Sequence, residues 1–214
     1  MCFYHQDRFF NPIDIEEQEG DAVLLVNYFG IMSHQRMTAL SKSYKNVIVD
    51  CAQAFFCKPV EGCLTVYSCR KFVGVPDGAY VVGKDAHKYI EEYPQCYSSD
   101  TAAFLLKRIE YGCEGKGYEA RGINEARIDS EDCMKMSKLT RALMDAEDYN
   151  YNQQKRRENF EYAHTLLGGV NKLSPKIYYD KDTIPMVYPL LVEDEGLLQK
   201  LFAAKHFQGH WWSY

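Results

Sequence analysis

The chain has 214 residues, room for one large domain or for a large one with a small companion. Hydrophobic residues make up 46% and charged residues 26%, an ordinary soluble balance that excludes a fibrous or low-complexity chain. The net charge is −5, and no element concentrates Lys and Arg, which argues against a nucleic-acid surface.

The first residues, MCFYHQDRFFNP, lack the basic-then-apolar build of a signal peptide. No apolar run approaches the roughly 20 residues that span a bilayer. These features predict a cytoplasmic protein with its eight cysteines reduced.

Residues 21–29, DAVLLVNYF, read as a continuous apolar strand of the kind buried on both faces. Helical spacing of Met37, Leu40 and Tyr44 follows over 35–44, and VIVDCA (47–52) gives the next strand. The three form a βαβ unit with a right-handed crossover. CLTVYSC (63–69) supplies a third strand and GAYVV (78–82) a fourth, after the turn at 74–78.

From Asp85 to Leu143 the pattern is helical: a short helix over 86–93, then a longer one over 99–111 with Ser98 or Ser99 as N-cap. GCEGKGYEARG (112–122) breaks the helical pattern, which resumes over 130–145 and again over 150–167, where Gly168-Gly169 stops it. Within the last helix Lys155, Arg156 and Arg157 cluster, with Glu158 and Glu161 close behind, and read as a solvated face. IPMVYPLLV (184–192) reads as a strand, EDEGLLQKLFAAKHF (193–207) as a helix, and GHWWSY ends the chain. The expected organisation is an α/β large domain over 1–147, with a mostly parallel sheet and flanking helices, and a small α+β domain over 148–214.

Cys51, Cys57, Cys63 and Cys69 recur every six residues. Zinc sites use pairs two to four residues apart, so this spacing reads as small buried hydrophobes rather than a metal or redox module.

The residues best placed for chemistry stand at strand ends, where parallel-sheet proteins bind ligands. Asp50 and Lys71 each leave the end of an apolar run. A lysine there can form a Schiff base and an acid can hold a pyridinium nitrogen, the pairing that pyridoxal phosphate chemistry requires. Ser68 could donate its hydroxyl to a phosphate oxygen, Gln53 could lie along a ring or bond a phenolic oxygen, and Asn27 ends the first strand at the same level.

VNYFG, VIVDCAQAFF and YSCRKFVGVPDGAYVV together resemble the fold-type I pyridoxal-phosphate aminotransferases, and most closely their DegT/DnrJ-like sugar-nucleotide branch. The D-x-A-Q-A motif of that family is matched by Asp50, Ala52, Gln53 and Ala54. Its lysine ahead of a Gly-rich turn and strand is matched by Lys71, Gly74, Gly78 and Ala79. The likeness covers most of residues 10–212, and implies a chain truncated at both ends relative to the family.

It also implies roles. Lys71 would hold the cofactor, pyridoxal 5′-phosphate, and shuttle a proton, while Asp50 would keep its ring nitrogen protonated. Gln53 would support the ring, Ser68 would touch the phosphate, and Asn27 would complete the cofactor pocket. The implied reaction moves an amino group from a donor amino acid such as glutamate to a keto group on a sugar nucleotide, in a homodimer. The competing expectation is a non-catalytic remnant that associates through its exposed sheet.

Overall fold

The computed structural model describes residues 2–112, 115–194 and 196–204. A short antiparallel ladder pairs β1 (His5–Gln6) with β2 (Pro12–Ile13). The main sheet has the order β3 (Val23–Val26), β4 (Val47–Asp50), β5 (Leu64–Ser68), β6 (Ala79–Val82). The first three of these run parallel, and β6 returns antiparallel to β5. The chain is therefore mixed α/β, with a mostly parallel four-stranded sheet and flanking helices.

β3 is shorter than the apolar run around it. Asn27 turns the chain by bracketing Met32: its Nδ2 donates to Met32 O (2.8 Å) and its Oδ1 accepts from Met32 N (3.1 Å). The 3₁₀ turn Tyr28–Gly30 follows, with Phe29 in the left-handed region at φ 59°. After it, α1 (His34–Ser41) is capped by Ser33, whose hydroxyl accepts from Arg36 N, and it turns Met37 and Leu40 into the core.

Alternation along the strands separates two faces. Val23, Leu25, Val49, Thr65 and Tyr67 are buried, and the core they share takes in Phe10, Phe29, Met37, Leu40 and Val60. The opposite face is open: Leu24, Leu64 and Val81 keep 48%, 37% and 52% of their surface exposed. The expectation that the first strand is buried on both faces is thus corrected. The register Leu24–Ile48–Leu64 places these side chains where no core forms among the described residues.

The helical middle also differs from the sequence reading. Residues 86–92 form a 3₁₀ helix, and α2 (Ala103–Tyr111) starts later than Ser99 because Ser98 is used elsewhere, its hydroxyl donating to Ser137 Oγ (2.7 Å). The glycine-rich break is short, since α3 (Lys116–Ser130) begins inside it. Gly112 and Gly115 turn the chain at positive φ, and a Cβ on Gly117 would stand 2.4 Å from Gly112 O, so the glycines make a tight helix junction.

α4 (Lys138–Asp145) starts eight residues after Ser130, because Ser137 supplies the cap and the preceding segment pairs Lys135 with Gln95. α5 (Tyr149–Leu167) matches its expected span to within a residue. Residues 184–192 form no strand. Pro185 and Pro189 lack ladder donors, and Met186 N instead donates to Phe29 O (2.7 Å). α6 (Leu197–Ala203) follows; Cys113 and residues 205–214, including GHWWSY, lie outside the described residues.

Phe160 and Arg156 tie α5 to the core and to the turn after β5. Phe160 is fully buried in the same core as Leu25 and Val49, its ring stacked on Tyr179 at a centroid distance of 5.0 Å. Arg156 leaves the solvated face expected for it. Its Nε donates to Asn152 Oδ1 (2.7 Å), its terminal nitrogens donate to Met186 O (3.0 Å) and Phe72 O (3.2 Å), and the guanidinium lies 4.4 Å from the Phe72 ring centroid. No helix among the described residues is long and apolar enough to cross a membrane.

Candidate functional site

The carboxyl ends of β4 and β5 carry the polar residues of interest. Asp50 pairs with Val66 in the sheet, and Ser68 stands two residues beyond Val66, so alternation puts Asp50 and Ser68 on the same, open face. Both are partly buried. Asp50 Oδ1 accepts from Ala52 N (2.7 Å), which fixes the carboxylate against the turn that follows β4. Its second oxygen has no hydrogen-bond partner among the described residues.

Lys71 sits in the tight turn that ends β5. Phe72 N and Val73 N both donate to Cys69 O (3.0 Å each), and Cys69 N donates to Gly78 O (3.1 Å). Phe72, Val73 and Val75 anchor this turn in a second apolar cluster with Met144. Lys71 is therefore held by its neighbours while its own side chain is exposed, without an ion pair or hydrogen bond to any described residue. Arg70, beside it, is paired with Glu125 at 2.8 Å.

The turn after Lys71 depends on Gly78, at φ 102°. A Cβ there would meet Thr140 Cγ2 at 2.8 Å and Met136 Cε at 3.1 Å. Asp77 Oδ1 accepts from Ser137 N (3.1 Å), and Asn124 Nδ2 donates to Pro76 O (2.8 Å). The VPDG segment is thus clamped between α3 and α4.

The remaining sequence candidates point elsewhere. Gln53 is buried, and its Oε1 accepts from Phe29 N (2.8 Å), joining the β4 turn to the β3 turn. Asn27 is fully buried and spent on Met32. The structure brings Asp50 and Ser68 together on the open face, adds Lys71 at the strand end, and uses Asn27 and Gln53 to build the turns beneath.

Two tyrosines join the group without having been singled out from the sequence. Burial and the Asp50 charge raise the Tyr28 hydroxyl above its ordinary range. Tyr4 is pushed up to about 12 by burial, with Tyr28, Tyr44 and Asp50 adding to it. Its hydroxyl donates to Leu24 O (2.8 Å), bringing the amino-terminal segment against β3.

Among the described residues, no three His, Cys, Asp or Glu side chains gather as a metal-binding group. The open strand ends present a fixed carboxylate with one unshared oxygen, two phenols, a hydroxyl and an accessible amine. No family model, no curated protein and no solved structure matches this chain, so its reading rests on its own residues.

Proposed function

We propose that the strand ends around Asp50 and Lys71 form the cofactor half of a pyridoxal-phosphate-dependent aminotransferase site. The observation that carries this reading is the placement of Asp50 and Ser68 on one open face, with Lys71, unpaired among the described residues, just beyond. Bound pyridoxal phosphate supplies an electron sink for negative charge generated at the Cα of an amino acid.

The second oxygen of Asp50 would accept a hydrogen bond from a protonated ring nitrogen, and the bond from Ala52 N to Oδ1 holds the carboxylate in place. The Lys71 amine would hold the cofactor through its aldehyde group and would carry a proton to and from the substrate Cα. Ser68 would donate its hydroxyl to the phosphate. Asn27 and Gln53 act through the backbone turns they hold. On the sequence resemblance, the donor is an amino acid such as glutamate, the acceptor a keto sugar nucleotide, and the working form a cytoplasmic homodimer with the PLP-transferase fold.

Titration of the purified chain with pyridoxal phosphate tests the reading. A new near-ultraviolet or visible absorption band is expected, lost in Lys71→Ala and weakened in Asp50→Ala; no band with the native chain would end it.

The second reading, a non-catalytic scaffold that self-associates, is favoured by the open apolar face. Mostly parallel sheets are ordinarily covered on both faces, and exposed apolar patches mark interaction surfaces. Light scattering on a size-exclusion column then shows a dimer or larger species, and Leu24→Glu shifts it toward monomer. A compact monomer at all concentrations counts against it.

A further inference from the structure

The two edges of the main sheet are not alike. Val23 N and Asn27 N donate towards β4, so the backbone groups of Leu24 face the outer side of β3. There the Tyr4 hydroxyl donates to Leu24 O (2.8 Å), and the amino-terminal segment caps that edge. β6 is the other edge, and all four of its residues are exposed. Between Gly78 and Gly83 it holds no proline and no charged side chain, the usual guards against edge-to-edge pairing.

The register decides which backbone groups of β6 face outward. Ser68 pairs with Ala79, and one step further Cys69 N donates to Gly78 O (3.1 Å). Bonded and non-bonded positions alternate along an antiparallel ladder. Gly78, Tyr80 and Val82 therefore bond towards β5, while Ala79 and Val81 turn their N–H and C=O groups outward. Among the described residues nothing donates to or accepts from these outward groups. They form a self-complementary set. A two-fold axis at Tyr80 sets Ala79 opposite the partner's Val81 and Val81 opposite the partner's Ala79. Each such pair exchanges both of its N–H···O bonds. An axis at Ala79 or at Val81 would instead put the other outward residue opposite Asp77 or Gly83, beyond the strand.

We infer that β6 pairs antiparallel with β6 of a second copy of this chain, two-fold about Tyr80, and joins the two sheets into one. Every outward backbone group of Ala79 and Val81 then finds a partner. Tyr80 meets its own copy at the closely spaced position, on the face where its ring lies 6.3 Å from that of Phe55. Since β6 carries no charged side chain, the two-fold sets no like charges opposite one another along the strand. Val81 and Tyr80, 52% and 40% exposed in the single chain, lose surface to the partner. The contact is edge-on. It leaves the open apolar face and the strand ends at Asp50 and Lys71 uncovered, so it stands apart from both readings above.

Light scattering on a size-exclusion column, with the full chain and its variants, tests the pairing. The native chain runs at twice the protomer mass, and Leu24→Glu keeps that mass. Val81→Pro removes an outward N–H that β5 does not use, and it halves the mass. Tyr80→Cys places two thiols on Cα atoms about 4.5 Å apart across the axis, within disulfide reach. Mild oxidation then links the two copies through the introduced thiols, as peptide mapping without reduction reads out. Val82→Cys gives no such link, because its two Cα atoms lie roughly 14 Å apart at 3.4 Å per residue. A native monomer at all concentrations would overturn the inference. So would a dimer that Leu24→Glu dissociates and Val81→Pro leaves intact, which is the contact through the open face. If Val81→Pro fails to fold, the cysteine variants decide: a link at position 82, or none at position 80, overturns it.

Discussion

Phe160→Ala lowers stability by about 3–5 kcal/mol, the range for emptying a large aromatic site in a core that cannot fully collapse. Phe160 is fully buried, stacked on Tyr179 and tilted against Tyr188 at 5.2 Å, and it shares a core with Leu25, Met37 and Val49. Its loss therefore removes the main apolar contact between α5 and the sheet. Chemical denaturation checks this through a lower midpoint for the sheet and α5 together. If α5 melted alone while the sheet kept its midpoint, Phe160 would belong to an independent unit, and the shared core would be refuted.

Gly30→Ala is the second large effect, and it strikes the turn beneath the site. Gly30 has φ 67°, and a Cβ there would lie 2.6 Å from Gln53 O, 3.2 Å from Ile184 O and 3.2 Å from Met186 N. All three are backbone atoms, so no side chain can swing aside. Left-handed strain of about 1–2 kcal/mol adds to an overpacking cost of about 1–3 kcal/mol, for a loss of about 2–5 kcal/mol. The same crowding displaces the β3 and β4 turns from one another, so Gly30→Ala also weakens pyridoxal phosphate binding. Denaturation and cofactor titration of one sample measure both. A variant of native stability would show that the close approach at Gly30 is not a constraint.

The sheet was legible in the sequence because its strands are short apolar runs ended by polar residues. Asp50 and Ser68 stand at strand ends as expected, and period-two alternation through the paired strands puts them on one face. Alternation failed where the chain left the ladder. Asn27 looked like another strand-end donor, but its side chain spans to Met32, and the left-handed Phe29 redirects the backbone beyond it. Gln53 likewise looked available until the turn after Asp50 aimed it at Phe29 N.

Apolar content alone misled at residues 184–192, where two prolines deny a ladder and the segment instead braces the β3 turn through Met186. Glycine content misled at 112–122, where Gly117 permits α2 and α3 to meet closely. None of these outcomes follows from residue type; each depends on which backbone groups a distant segment supplies.

Lys71 bears the central claim, because it stands just past the end of β5 and its side chain takes no structural role among the described residues. Its neighbours Arg70, Phe72 and Val73 are all committed to packing or pairing, and its own side chain is exposed and unpaired among the described residues. Incubation of the full chain with pyridoxal phosphate, reduction with borohydride and peptide mapping reads out which amine the cofactor meets. A pyridoxyl label concentrated on Lys71, and reduced in Asp50→Ala, is the predicted result. A label spread evenly over exposed lysines such as Lys42, Lys84 and Lys107, or absent from Lys71, would contradict the account.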